Sequence, residues 1–66
     1  MKVKYFEDTD TLHVELSGSA EVVETKELNE NLYVDLDADG KVISLTIEHA
    51  KAASGKLDFS YETVAA

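Results

Sequence analysis

Three aspartates spaced two residues apart are the feature of this sequence best suited to metal chemistry. Asp35, Asp37 and Asp39 stand in the segment DLDADG, which ends in Gly40. Carboxylates at this spacing, with a glycine directly after the third, open the calcium-binding loop of an EF-hand. The three aspartates are therefore candidates for a divalent-cation site, although the same residues are also typical of a tight turn between two strands.

The residues after the aspartates do not complete an EF-hand loop. Counted from Asp35, the ninth position is Ile43 and the twelfth, which should be a bidentate glutamate, is Thr46. The flanking segments alternate like strands, whereas an EF-hand requires helices. A turn requires less, because Asp37 only has to accept backbone amides and the glycine has to adopt a positive φ. We favour the turn and keep weak cation binding as the alternative.

The remaining polar residues form no recognisable catalytic set. His13 and His49 are 36 residues apart, which is no metal-ligand spacing. The chain has no cysteine, and its segment SGS lacks the G-x-S-x-G pattern of an activated serine. We therefore expect no enzymatic activity, no cofactor and no zinc site.

The charge balance indicates which partners are favoured. The chain has 14 acidic and 6 basic residues and a net charge of −8. Nucleic acids and anionic membranes repel such a protein, so we expect it to bind neither, whereas a basic protein is favoured electrostatically. Because no apolar run approaches a membrane span or a signal peptide, we predict a soluble, cytoplasmic protein.

Alternation of apolar and polar residues predicts the strands that position these groups. TLHVEL, LYVDL and VISLTI each have one apolar face, and VKYF is a shorter strand at the start. AEVVETKEL has glutamates every third residue, as a helix would, but its apolar residues form no helical stripe, and its composition favours a strand. Because Val22 and Val23 would face opposite sides, we expect a bulge or an edge position there.

Short polar connections predict an antiparallel arrangement. Connections of three or four residues favour a five-stranded meander as the simplest topology. The fold class is mainly β, bordering on α+β, in a single domain over residues 1–66. The predicted turns lie at 7–10, 17–19, 29–31 and 37–40.

The C-terminal part must supply a cover for the apolar face. EHAKAAS, residues 48–54, predicts a short helix that ends at Gly55. LDFSYE, residues 57–62, alternates again and is a possible sixth strand, pairing within the chain or with another copy. Because an alanine-rich helix buries little surface and a core of this size is marginal, we expect a homodimer.

The order of these motifs resembles a bacterial family, the domain of unknown function 2283. The resemblance lies in MKVKYFEDTDTLHVELSG followed by EVVETKELNENLYVDLDADGKVISLTIEHA, and it covers about residues 1–53. This chain departs from the usual pattern at Phe6 and Glu7, where many members have an aspartate after the tyrosine. It also departs at Ser44, which stands in place of the glycine in the commoner ending VGIEILDA.

The resemblance implies a small antiparallel sheet with a short C-terminal helix, and it supplies no catalytic residues. Some members look like the small acidic halves of two-gene pairs, which implies an antitoxin-like role. We predict a non-enzymatic protein-interaction module that binds a basic partner, such as a toxin-like nuclease, through an acidic, tyrosine-bearing face. The candidate partner-binding residues on that face are Glu15, Tyr33 and Asp35.

Overall fold

One antiparallel sheet and one short helix make up the protein. The computed structural model describes residues 1–18 and 20–65. The predicted β class, the antiparallel sheet of five strands and the short C-terminal helix are confirmed. The strands are β1 (Lys2–Phe6), β2 (Thr11–Glu15), β3 (Glu24–Asn29), β4 (Leu32–Leu36) and β5 (Val42–Glu48), and the helix is α1 (Ala50–Ser54).

The order of the strands is not a meander, so that prediction is wrong. The order is β1-β2-β5-β4-β3, with β5 between β2 and β4. The strand VISLTIE carries the longest apolar alternation and gains most from two neighbours, whereas every residue of ETKELN in β3 is exposed. A charged strand suits an edge, where it also discourages pairing with other chains.

The connection between β2 and β3 consequently spans one end of the sheet. The amides of Leu16 and Ser17 both donate to the carbonyl of Ile43 in β5, and the amide of Val23 donates to the carbonyl of Leu36 in β4. The turn predicted at 17–19 is therefore no hairpin between neighbouring strands, and its last residue lies outside the described residues.

The edge position predicted for the third strand is confirmed, but its boundaries differ. Val22 and Val23 precede β3 rather than belong to it, and both are exposed. The irregularity of β3 lies between Glu27 and Asn29. The adjacent valines therefore mark the end of the connecting segment and not a bulge within the strand.

Two cross-strand rows form the apolar face of the sheet. Residues directly opposite each other in antiparallel strands share a face, so the register assigns each row. Four adjacent strands, β1, β2, β5 and β4, contribute apolar or aromatic residues to both rows. The rows are Val3, Val14, Leu45 and Val34, and Tyr5, Leu12, Ile47 and Leu32.

A bulge at the start of β5 changes the face of one predicted core residue. Asp35 pairs with Ser44, but Leu36 pairs with Val42, so Ile43 is the extra residue. Alternation had placed Ile43 on the same face as the later apolar residues of β5. Instead it lines a small cavity together with Ser44, and these two adjacent residues are only 5% and 3% exposed.

The helix α1 begins and ends close to the predicted positions. His49 precedes it with a positive φ of 56°, and Gly55 ends it with a φ of 77° and donates its amide to the carbonyl of Lys51. In the described part of the chain, no helix is long and apolar enough to cross a membrane.

The possible sixth strand at 57–62 does not pair within the chain, so that alternative is wrong, whereas its pairing with another copy stays a prediction. Residues 57–65 adopt neither strand nor helix. Leu57 and Phe59 instead line a groove with Leu12 and Ile47 of the apolar face. Leu57 and Phe59 of the alternating set thus face the sheet, whereas Tyr61 is 94% exposed.

Candidate functional site

The polar face of the sheet brings together most of the chemistry-bearing side chains. It lies opposite the apolar rows and includes all three predicted partner-binding residues. The register again defines its rows. They are Lys2, Glu15, Ser44, Asp35 and Thr25, and Lys4, His13, Thr46, Tyr33 and Glu27.

Asp35 is fully engaged with neighbouring strands. Its Oδ2 accepts a hydrogen bond of 2.6 Å from the hydroxyl of Ser44, and its Oδ1 accepts one of 2.7 Å from Thr25. These two hydrogen bonds, the one from Ser44 first, hold the pKa of Asp35 below its usual range, and the nearby His13 adds a smaller electrostatic contribution. The carboxylate thus connects β3, β4 and β5, and both of its oxygens already accept hydrogen bonds.

Glu15 is also engaged. Its Oε1 lies 3.6 Å from Nζ of Lys4 and 3.9 Å from Nε2 of His13. The other ring nitrogen of His13, Nδ1, lies 3.0 Å from the hydroxyl oxygen of Thr46. A basic partner that bound Glu15 would have to compete with these neighbours.

A small cavity of about 190 Å³ lies beside Asp35 and Glu15. The hydroxyl of Ser44 in its wall donates to a carboxylate whose pKa is lowered, and such a carboxylate is a weak general base. The cavity is also lined by His13, whose Nδ1 lies 3.0 Å from the hydroxyl oxygen of Thr46. His49 is not among the lining residues, and its Nδ1 lies 2.9 Å from the amide oxygen of Asn31.

Tyr33 lies in a different electrostatic environment from Asp35. Its pKa is raised, first by the carboxylate of Glu48, then by partial burial and by Glu27 directly opposite in β3. The ion pairs among residues 1–18 and 20–65 involve Glu15 and Asp58, so neither Glu27 nor Glu48 forms an ion pair there. We call Glu27, Tyr33 and Glu48 the Tyr33 patch.

Sequence reasoning found Tyr33 but missed its two acidic neighbours. Glu27 could have been found from the short turn at 29–31, because a β3–β4 hairpin places it near Tyr33. Glu48 could not have been found in this way, since its position depends on the pairing of β4 with β5 and on the bulge that sets their register.

The DADG segment forms the predicted turn. Oδ1 of Asp37 accepts the amides of Asp39 and Lys41, each at 2.9 Å, and Gly40 adopts a φ of 80°. Asp35 points instead to Ser44 and Thr25. No set of three metal-ligating side chains occurs within the described ranges, so the three aspartates are not brought together as one site.

Among the described residues, the carboxylate of Asp10 accepts the most hydrogen bonds, and sequence reasoning missed it. Its Oδ1 accepts the hydroxyl of Tyr5 at 2.7 Å and the amide of Lys51 at 2.8 Å, and its Oδ2 accepts the amide of Ala52 at 3.2 Å. These hydrogen bonds, the one from Tyr5 first, lower the pKa of Asp10. Asp10 therefore caps the helix α1 from the β1–β2 turn.

The fold and the polar face together define a small β protein with a single sheet. Some of its acidic groups, such as Asp10 and Asp35, are hydrogen-bonded within the fold, whereas Glu27 and Glu48 form no ion pair in the described residues. The chain belongs to the family described as protein of unknown function (DUF2283), whose model matches residues 2–51. The match confirms the resemblance seen in the sequence and leaves the last residues outside it. No curated protein and no solved structure matches the chain.

Proposed function

We propose that this chain is a non-enzymatic protein-interaction module that binds a basic protein through the Tyr33 patch. The observation that carries the proposal is the position of Tyr33, which lies directly opposite Glu27 and near enough to Glu48 for both carboxylates to raise its pKa, while neither carboxylate forms an ion pair within the described residues. A lysine or arginine of a partner would supply the missing positive charge there. The tyrosine ring would add contact area and a surface on which a cation can rest.

The patch is better suited to a partner than the rest of the polar face. The carboxylates of Asp35 and Glu15 already have partners, so binding a cation there would replace existing interactions. Glu27 and Glu48 would lose no such interaction on binding. The net charge of −8 would also steer a basic protein towards the chain.

A toxin-like basic protein is one partner with this chemistry, and the antitoxin-like role is the corresponding biological proposal. The electrostatic part of the affinity would weaken with salt, since exposed charges are screened beyond about 8 Å at physiological ionic strength. A partner held mainly by apolar contacts would show much less salt dependence.

The test is retention of basic proteins from the source lysate at low salt, followed by elution with a salt step. We expect the wild-type chain to retain a discrete basic protein and the double variant Glu27→Gln, Glu48→Gln to bind it at least about tenfold more weakly. A matched control is Glu7→Gln, Asp8→Asn, which removes two charges from the exposed β1–β2 turn.

The control distinguishes an effect of the Tyr33 patch on binding from an effect of the net charge of the chain. Equal loss of binding in both double variants would show that overall charge matters and that the Tyr33 patch does not. Unchanged binding in the patch variant, or no retained basic protein, would contradict the proposal.

A further inference from the structure

The protein exposes more surface than a compact chain of its mass. Its accessible surface is 5205 Å², whereas a compact monomer of 7.2 kDa exposes about 4,100 Å². Its radius of gyration is 13.1 Å, against about 11 Å for a globular domain of this length. The molecule is a slab whose smallest extent is 20 Å, so it is one sheet with a thin cover.

The apolar face of the sheet is the incompletely covered side. The helix α1 contributes only small side chains, Ala50, Ala53 and Ser54, to a groove of about 330 Å³ on this face. Val3 and Val42 on the same face are 48% and 42% exposed. Among the described residues, no large side chain is less than 2% exposed. The apolar residues that line the groove are Leu12, Ile47, Ala50, Ala53, Leu57 and Phe59, and Ser54, Lys56 and Asp58 complete its lining.

We infer that a second copy of this chain covers the apolar face, so that two sheets pack face to face in a symmetric dimer. The excess surface of the whole chain is about 1,100 Å² and includes the exposed C-terminal segment as well as the apolar face. It is large enough to contain the roughly 800 Å² that each partner buries in an interface of standard size. Packing two sheets in this way would complete the second layer that a one-sided sheet lacks.

The distribution of charge also favours a second copy on this face. On β1, β2, β5 and β4 the two apolar rows contain no charged side chain, and on the edge strand β3 the first row continues to Lys26. Face-to-face packing would turn the acidic polar faces outward and away from each other. Two chains of charge −8 could therefore associate with little repulsion at the interface, and the Tyr33 patch would stay accessible.

Two half-exposed phenylalanines provide a matched test. Phe59 lines the groove on the apolar face and is 56% exposed, whereas Phe6 pairs with Thr11 on the polar face and is 48% exposed. Either residue can be replaced by glutamate with the same change in size and charge. Only the change at Phe59 would place a carboxylate in the dimer interface.

The measurement is sedimentation equilibrium from micromolar to millimolar concentration, with far-UV circular dichroism as the check on folding. We expect the wild type and Phe6→Glu to dimerise, and Phe59→Glu to raise the dimer dissociation constant by about thirtyfold or more. If Phe59→Glu does not fold, Val3→Lys, at an edge strand of the same face, provides the test instead.

Several results would overturn the inference. If the wild-type chain stays monomeric at all concentrations, the apolar face is covered by residues of its own chain or by another protein. A dimer that survives both Phe59→Glu and Val3→Lys would use another surface. Loss of the dimer in Phe6→Glu would show that the interface is not confined to the apolar face.

Discussion

Asp10 and Asp35 are two engaged carboxylates that hold different parts of the molecule together. Both accept hydrogen bonds from hydroxyl groups, and both have a lowered pKa as a result. Asp35 binds residues of the adjacent strands in one sheet. Asp10 joins the β1–β2 turn to backbone amides 41 and 42 residues further along the chain.

The distance along the chain between each carboxylate and its partners determines what that carboxylate stabilises. The strands around Asp35 are also joined by their ladder of backbone hydrogen bonds, so Asp35 reinforces contacts that exist without it. The helix α1 has no side-chain cap from the residue that precedes it. Asp10 therefore supplies side-chain acceptors for two helix amides, in addition to the contact of His49 with Asn31, and its replacement should have the larger effect.

Replacing Asp10 should cause the largest loss of stability. Asp10→Ala removes the acceptor for the helix amides and for Tyr5, and it places alanine at a φ of 55°. We expect the melting temperature to fall by about 10 °C. Asp10→Asn tolerates this φ and keeps one acceptor oxygen, so its decrease should be about half as large. Thermal unfolding followed by circular dichroism measures both.

The charge of Asp10 also predicts how the loss depends on pH. Because the folded pKa is lowered, the carboxylate stabilises the fold above its unfolded pKa of about 3.9, and this contribution is lost as the pH falls through the folded value. The difference between wild type and Asp10→Asn should therefore narrow in acid. Asp8→Asn in the same turn is the control, and an equal decrease there would contradict the assignment.

The contrast between these aspartates also shows what the sequence can reveal. Alternation and turn residues identified the strands and the DADG turn, because these depend on nearby residues. The strand order could not be predicted in this way, since it depends on which strand gains most from having two neighbours, and in this sheet that strand is β5. Asp10 was missed for the same reason, because its partners lie in a distant helix.

Replacing Asp35 should have a smaller effect that depends on Ser44. Asp35→Ala leaves the Ser44 hydroxyl, in a residue that is only 3% exposed, without its acceptor. We expect a loss of about 1 kcal/mol, or about 6 °C in melting temperature. In the double variant Asp35→Ala, Ser44→Ala, no buried hydroxyl is left unpaired, because the hydroxyl of Thr25 is exposed to water. The loss in the double variant should therefore be smaller than the sum of the two single losses.

Denaturant unfolding of the wild type, the two single variants and the double variant measures this coupling. Additive losses would show that the hydrogen bond between Ser44 and Asp35 contributes nothing specific to stability. A parallel cycle with Thr25→Ala tests the other oxygen, and its coupling should be weaker because Thr25 lies on the exposed edge strand.

Changes in the Tyr33 patch should leave stability nearly unchanged and alter the titration of one phenol. Glu27→Gln, Glu48→Gln removes both negative charges that raise the pKa of Tyr33, so that pKa should fall towards 10.0. The melting temperature at neutral pH should stay within about 2 °C of wild type, since surface substitutions have small effects. Because the two carboxylates repel only the phenolate, the raised pKa of Tyr33 costs the fold no stability at neutral pH, and wild type should lose stability relative to the variant only as the pH rises from about 10 through the folded value.

The ring resonances of Tyr33, assigned with Tyr33→Phe, report this titration by NMR. The control Glu7→Gln, Asp8→Asn removes the same number of charges elsewhere and should leave the Tyr33 midpoint in place. A midpoint that is equally insensitive to both double variants would mean that Glu27 and Glu48 do not act on the phenol. Because the fold hardly depends on these carboxylates, their effect on Tyr33 and on a basic partner can be measured in a protein of unchanged stability.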